Sequence, residues 1–447
     1  MNGYRDLRVA LLGCGSVGAQ VARIILEHGD ELAARIGAKL TLSGIAVRDL
    51  DAPRDAPLPR ELFTTDAEQL VLGADIVVEL MGGVEPARSL ILRALEGGAD
   101  VVTANKALIA AHGPELADAA EQVGAQLSYE AAVAGAIPII RPLRESLAGD
   151  HITRVLGIVN GSTNYILDRM DRFGDSAEDA MRVASELGYL EADPTLDVEG
   201  YDAAQKATIL ASIAFHTEVP VDAVYREGIT KVTAEQIEAA KHAGYVIKLL
   251  AIAERLTASD GTDGVSARVY PALIRREHPL AAVHGGKNAV FVEADAAGEL
   301  MFYGAGAGGS ETASAVLGDL VSAARRHVVG GPGIPGSAHA ALPILPVGEV
   351  STSYQVMLEV RDQPGVLATI AGILSEHGVS AANVEQSVST RGDDVAAGAP
   401  PEEPETATLV IGTHTAREAD LAATVEALRE SDAVTAVVSV IRLEGNS

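Results

Sequence analysis

The chain has 447 residues, of which 48% are hydrophobic and 21% charged, with a formal net charge of −28, one cysteine and no tryptophan. That length calls for two or three cores, and the acidic balance excludes a nucleic-acid surface, which needs faces rich in Lys and Arg. One cysteine excludes an intramolecular disulfide and fits a reducing compartment; no apolar run reaches the roughly 18 residues of a membrane span and no basic, apolar leader precedes the first strand, so a soluble, cytoplasmic protein with no membrane partner is expected.

Residues 1–130 alternate strand and helix patterns. Strands are predicted at Leu7–Leu12, Leu40–Val47, Asp75–Leu80, Asp100–Thr103 and Gln126–Tyr129. Helices are predicted over 16–28, 86–97 and 114–123, with Pro86 and Pro114 in first turns, where a missing N–H is harmless. This alternation implies an α/β, doubly wound, Rossmann-like parallel sheet. The first strand runs into Gly13-Cys14-Gly15-Ser16-Val17-Gly18 and then a helix. In that context the glycines read as a dinucleotide loop. Gly13 makes the tight turn, Gly15 lets the backbone approach a pyrophosphate, and Gly18 permits helix–strand packing, while the helix N-terminus at Ser16 and Val17 faces the phosphates. The second strand ends at Arg48 and Asp49. An arginine there accepts a 2′-phosphate and an acid binds a ribose 2′-hydroxyl, so NADP(H) is preferred and NAD(H) remains open. Cys14 reads as a small spacer inside the loop, not a nucleophile.

From 131 to 309 longer helices give way to strand-like runs at Tyr245–Ala253, Ala267–Ile274, Ala289–Ala294 and Glu299–Tyr303. This describes an α+β substrate and oligomerisation domain on an open sheet. A helix over 310–328 returns toward the nucleotide domain, and 329–351, rich in Gly and Pro, reads as a flexible linker. Residues 352–447 follow a β–α–β–β–α–β order: strand Tyr354–Val360, helix 365–377, strands Val379–Ser389 and Thr406–Gly412, helix 416–429 and strand Ala433–Ile441. That is a ferredoxin-like module. Its acidic Pro/Gly insert, 391–405, reads as a mobile loop.

The stretch from Leu187 to Lys206, LGYLEADPTLDVEGYDAAQK, gathers Glu191, Asp193, Asp197 and Asp202 with one lysine. Asp202 and Lys206 stand four apart, on one face of a helix. Alone the pair reads as a solvated surface contact. Tyr201, Ala203, Ala204, Ala207 and Ile209 make the helix apolar around it, and a charged pair on such a helix needs a partner or a purpose. A carboxylate–lysine site holds a small cationic substrate and moves one proton, here beside a hydride-carrying cofactor. The eleven histidines form no His-x-x-x-His or His-x-His pair, and no Gly-x-Ser-x-Gly elbow occurs, which argues against a zinc hydrolase and a serine hydrolase.

Taken in order, GCGSVG (13–18), ELMGG (79–83), TANKAL (103–108), EAAVAGAIPII (130–140), NGSTNYIL (160–167), the 187–206 stretch and GAGAGGSETASAVLGD (304–319) resemble the homoserine dehydrogenase family. The tail, from Val360-Arg361-Asp362-Gln363-Pro364-Gly365, resembles an ACT domain. The resemblance implies reversible, nicotinamide-dependent reduction of L-aspartate 4-semialdehyde to L-homoserine, in the biosynthesis of threonine, methionine and isoleucine. It implies Lys206 as proton donor, with burial lowering its pKa and Asp202 opposing; the sequence leaves open which effect wins. Glu191 and Asp202 match the family's substrate-binding carboxylates, Asp197 a further acidic position, and Tyr189 and Thr163 are candidates for the substrate carboxylate. Lys106, at a strand end, resembles the family's cofactor-side lysine. Gly188 and Gly308 join the candidates for cofactor contact. Glu130 with the carbonyls of Val133, Gly135 and Ile137 resembles a structural Na⁺ site; hard oxygen ligands suit such an ion. The ACT tail implies L-threonine as a feedback effector and a homodimer or homotetramer. Of the rivals, aspartate-semialdehyde dehydrogenase needs a catalytic thiol, which Cys14 is badly placed to supply. A reductase for another amino-acid aldehyde or imine shares the fold. A non-catalytic amino-acid sensor would not need both Lys106 and Lys206.

Overall fold

A computed structural model describes residues 5–190, 192–331, 338–388 and 406–445. The first body comprises β1 (Arg5–Leu12), α1 (Ser16–Glu27), α2 (Gly29–Ile36), β2 (Ala38–Ala46), β3 (Phe63–Thr64), α3 (Ala67–Val71), β4 (Ile76–Glu79), α4 (Ala87–Glu96), β5 (Asp100–Thr103), α5 (Lys106–Val123) and β6 (Leu127–Ser128). Its strands form a parallel sheet in the order β3-β2-β1-β4-β5-β6. The order reverses between β1 and β4, where open α/β sheets place their ligands. The continuous apolar runs of β1 and β4 are buried, because helices cover both faces.

One predicted boundary is wrong by eight residues. Helix α5 begins at Lys106, not at Pro114, which lies inside it. The Asn105 side chain accepts from the Leu108 N–H at 3.2 Å, a cap that starts the helix early. Pro114 is exposed, so water can satisfy the carbonyl that its missing N–H would have bonded.

The second body contains β7 (Ile152–Ile158), α6 (Gly161–Phe173), α7 (Ala177–Glu186), α8 (Thr195–Val198), α9 (Tyr201–Ala214), β8 (Tyr225–Arg226), α10 (Ala234–His242), β9 (Tyr245–Thr257), β10 (Asp263–Arg275), β11 (Lys287–Ala294), β12 (Gly298–Ala305) and α11 (Gly309–Val329). Its strands run antiparallel as β12-β11-β7-β9-β10. β7, absent from the sequence prediction, pairs with both β11 and β9. Helices α6 and α9 pack on this sheet, and α11 packs against α1.

The C-terminal module holds β13 (Ser351–Arg361), α12 (Val366–Glu376), β14 (Ala381–Val388), β15 (Thr406–Thr413), β16 (Ala416–Arg417), α13 (Glu418–Glu430) and β17 (Val434–Glu444). The strand order β17-β13-β15-β14 is ferredoxin-like. The insert 391–405 lies outside the described residues. β17 also pairs in parallel with β10, with Ala272, Leu273 and Ile274 opposite Arg442, Leu443 and Glu444. One sheet therefore runs from β12 to β14 through the second body and the C-terminal module. The described part of the connector, residues 338–351, is tied to the second body by backbone hydrogen bonds. Val265 donates to the Pro343 carbonyl at 2.9 Å, Leu345 to the Val265 carbonyl at 2.7 Å, and Ala340 to the His216 carbonyl at 2.7 Å. Leu345 is buried against β10, so its apolar side chain fixes what Gly/Pro content alone would leave loose.

Candidate active site

The turn from β1 into α1 divides its glycines by task. Gly13 has φ +98°, and a β-carbon there would lie 2.7 Å from the Leu80 carbonyl oxygen. A β-carbon at Gly18 would strike the Gly13 carbonyl, whereas one at Gly15 would meet nothing within 4 Å. The open position leaves room for a group to approach the backbone; the closed ones are packing constraints. Ser16 and Val17 open α1, whose first N–H groups lack helical partners. Gly308, with φ +134°, caps α11, and Gly309 lies against the Ser16 backbone, so two helix N-termini converge on this loop. Just beyond β2, Arg48 is exposed and makes no ion pair among the described residues. The Asp49 carboxylate is occupied instead by the Asp51 N–H at 2.9 Å. Burial pushes the Cys14 thiol up, with Arg54 opposing, which keeps it protonated and inert.

The second half of the site joins the two bodies. Helix α9 places Asp202 and Lys206 one turn apart, and Lys206 Nζ donates to Asp202 Oδ2 at 2.7 Å and to the Val159 carbonyl at 2.6 Å. Lys106, the first residue of α5, brings its Nζ to 2.8 Å from the other Asp202 oxygen. One buried carboxylate thus bridges two lysines, one from each body. Burial opposes ionisation of Asp202, yet Lys206 and Lys106 overrule it and hold the carboxyl well below the usual range. For Lys206 the balance goes the other way: burial prevails over the attraction of Asp202, Lys106 adds like-charge repulsion, and its pKa is lowered.

Asn160 completes the cluster and was missed by sequence reasoning. Its Nδ2 donates to Asp197 Oδ1 at 2.6 Å and to Asp202 Oδ2 at 2.9 Å. Its Oδ1 accepts the Thr163 N–H at 2.9 Å, making Asn160 the N-cap of α6. The signal was present as Asn160-Gly-Ser-Thr before a helical run. Thr163 is 1% exposed and its hydroxyl donates to Asn160, so it orders that side chain and reaches no open surface. Burial raises the pKa of Asp197, with the Asn160 hydrogen bond opposing and the Asp202 charge adding to the rise. Asp193 does not face inward: it caps the next turn by accepting from the Thr195 N–H and hydroxyl. Gly188 makes a left-handed turn after α7 (φ +76°), and Tyr189 then stacks on Tyr165 with ring centroids 4.8 Å apart. Glu191 lies outside the described residues. Glu79, fully buried at the end of β4, accepts from the Met81 and Gly82 N–H groups and from Thr103 Oγ1, tying ELMGG to TANKAL behind Lys106.

The carboxylate part of the cation reading fails. Glu130 Oε1 accepts the Ile139 and Ile140 N–H groups at 2.5 and 2.7 Å, and Oε2 accepts the Arg141 N–H and Nε at 3.0 and 3.1 Å. Four donors saturate a carboxylate, so the Glu130 side chain has nothing left for an ion. The carbonyls of Val133, Gly135 and Ile137 accept no backbone N–H among the described residues. They lie in a turn held by positive φ at Ala134 (+58°) and Gly135 (+59°).

Family comparisons cover almost the whole chain. The profile described as homoserine dehydrogenase matches residues 138–321. That described as homoserine dehydrogenase, NAD binding domain, matches 13–130, and an ACT domain profile matches 354–432. A homoserine dehydrogenase of Corynebacterium glutamicum is 54% identical over 438 residues, covering 98% of this chain and 95% of the relative. The crystal structure of a homoserine dehydrogenase from Thiobacillus denitrificans superimposes with a TM-score of 0.89 at 38% identity, covering 99% of each chain. A hyperthermophilic archaeal homoserine dehydrogenase in complex with NADPH aligns at 29% identity and a TM-score of 0.58, over 73% of this chain and 99% of that one.

Proposed function

The chain belongs to the homoserine dehydrogenase family and is an NAD(P)-dependent oxidoreductase, and we propose that it reversibly reduces L-aspartate 4-semialdehyde to L-homoserine, with Lys206 as the proton donor. The observation that carries this reading is the Asp202 carboxylate shared between Lys206 and Lys106, which sets a buried ammonium where the two bodies meet. Asp202, Asp197 and Glu191 hold the substrate's ammonium and hydroxyl groups, Asn160 fixes the separation of Asp197 and Asp202, and Tyr189 lines the substrate side. Bound at the Gly13–Gly18 loop and Gly308, a nicotinamide cofactor supplies the hydride. As negative charge forms on the aldehyde oxygen, Lys206 Nζ stabilises it and gives up its proton there. Its lowered pKa makes the ammonium a stronger acid, and its partner Asp202 restrains it from wandering. Lys106 holds Asp202 from the nucleotide side, so both bodies contribute a cation to the same carboxylate.

NADP(H) is the preferred cofactor in this proposal, because the exposed Arg48 is available to a 2′-phosphate while Asp49 is turned to its own loop. Charge-assisted hydrogen bonds are worth about 1.5–3 kcal/mol, so Arg48→Ala is expected to lower the NADPH:NADH ratio of kcat/KM by roughly 10- to 100-fold. An unaltered ratio in steady-state assays with both cofactors would remove the clamp. The carbonyls of Val133, Gly135 and Ile137 hold Na⁺ as a structural ion. L-Threonine acts through the C-terminal module in a cytoplasmic homodimer or homotetramer. No helix among the described residues is long and apolar enough to cross a membrane.

The deciding assay follows NADPH and NADH oxidation on aspartate semialdehyde, with and without threonine. The reading fails if this aldehyde consumes no cofactor while another amino-acid aldehyde does. Threonine should be titrated on the full chain, since deleting 352–447 would strip β10 of its β17 neighbour.

A further inference from the structure

We propose that Arg226 is a positioning residue for the substrate acids, and that the Glu227–Arg442 ion pair ties it to the C-terminal module, so that the seat of the module sets affinity for the aldehyde. The proposal rests on the reading of Asp197 and Asp202 as substrate ligands.

Asp197 ends its side chain on α8 and Asp202 on α9; the turn between them is 198–201. Whatever holds that turn sets the spacing of the two acids. Arg226 holds it from one side: its guanidinium carbon lies 3.6 Å from the centroid of the Tyr201 ring, and it donates to the Glu199 carbonyl. The following residues are laid along the same turn. Ile229 donates to the Val198 carbonyl at 2.7 Å, and Thr230 Oγ1 to Glu199 Oε1 at 3.0 Å.

The other side of the same strand belongs to the C-terminal module. In extended chain, alternate side chains point to opposite faces, so Tyr225 and Glu227 turn away from Arg226. Glu227 lies 2.9 Å from Arg442 on β17 and accepts from Tyr225 OH. Arg442 is itself immobilised. It donates to Glu418 Oε1 at 2.6 and 2.9 Å, and lies 4.6 to 5.6 Å from the rings of Tyr270, Tyr225 and Tyr354. β8 and β17 share one edge of β10, end to end, with Tyr225 and Arg226 opposite Arg268 and Val269. A shift of β17 along that edge is handed to Glu227, and by Arg226 to Tyr201, the residue before Asp202. Ångström-scale displacement of binding groups is enough to cost substrate positioning.

The test uses full-length Arg226→Ala, Arg226→Lys and Glu227→Gln proteins. In Arg226→Ala the KM for the aldehyde should rise roughly 10-fold, with kcat within about threefold and NADPH affinity by fluorescence titration unchanged. Arg226→Lys, which keeps the charge, should recover part of the loss. Glu227→Gln, which alters only a side chain paired with Arg442 and Tyr225, should raise the same KM by about threefold. Backbone amide exchange read at 198–202 should accelerate in Arg226→Ala and in Glu227→Gln while the first body is unaffected. An unaltered KM in Glu227→Gln overturns the tie to the module, and unaltered exchange at 198–202 in Arg226→Ala overturns the positioning role. Wild-type protein inactive on the aldehyde would defeat the functional reading instead, and the exchange measurement would still decide this one.

Discussion

Lys206→Met is expected to lower kcat by roughly 10³-fold in both directions while leaving NADPH affinity within about twofold, since a positioned general acid contributes on the order of 10²- to 10⁴-fold. Methionine follows the lysine stem through its apolar surroundings and removes only the ammonium. Asp202 does not become an orphaned charge, because Lys106 still pairs with its second oxygen at 2.8 Å. The fold should therefore survive, and the loss should be chemical. The wild-type pH profile gives an independent check. The pKa of Lys206 is lowered by burial. Reduction needs the ammonium, so its rate should fall as pH rises through that lowered value; oxidation needs the free amine and should rise over the same interval. Lys206→Met should abolish this limb of both profiles. A variant retaining more than a tenth of wild-type kcat, or keeping the limb, would place the donor elsewhere.

The reason so much of this site was legible is that its parts are local in sequence. Asp202 and Lys206 are neighbours on one helical face, and the glycine loop is six consecutive residues between a strand and a helix. Asn160 escaped because its importance is not local: it caps α6 with one end of its amide and joins Asp197 to Asp202, some 40 residues on, with the other. Lys106 was read as cofactor-side, yet only the fold brings it against Asp202. The start of α5 was misplaced because proline was weighed above an asparagine cap. The Glu130 carboxylate looked available because its four donors lie 9 to 11 residues away in a chain segment with no periodic signal. The junction of β10 with β17 was invisible for the strongest reason. Strand pairing between segments some 170 residues apart leaves only an apolar run in each, and nothing in either run names its partner.

That junction carries the second large expected effect: Glu444→Gln should destabilise the seam by about 3 kcal/mol or more, the cost of leaving buried charge uncompensated. Glu444 and Arg268 are 4% and 0% exposed. Tyr270 OH donates to Glu444 at 2.5 Å, Arg154 pairs with it, and Arg268 stands 3.7 Å away while bonding Glu254 at 2.6 Å and Tyr270 OH at 2.9 Å. Two guanidinium groups thus depend on two carboxylates, and neutralising one leaves surplus positive charge in a largely buried seam. The surviving Arg268–Glu254 contact limits the loss. Urea unfolding should show a lower midpoint for the transition that releases the module, and amide exchange should rise in β17 and β13 before it rises in β1 or β4. Because Arg442 lies two residues from Glu444 on the same strand, loosening this end should also raise the KM for the aldehyde, in the direction expected for Glu227→Gln. If the seam were held by apolar packing alone, neither the midpoint nor the KM would move, and the charges would be bystanders to the joint between catalysis and its C-terminal module.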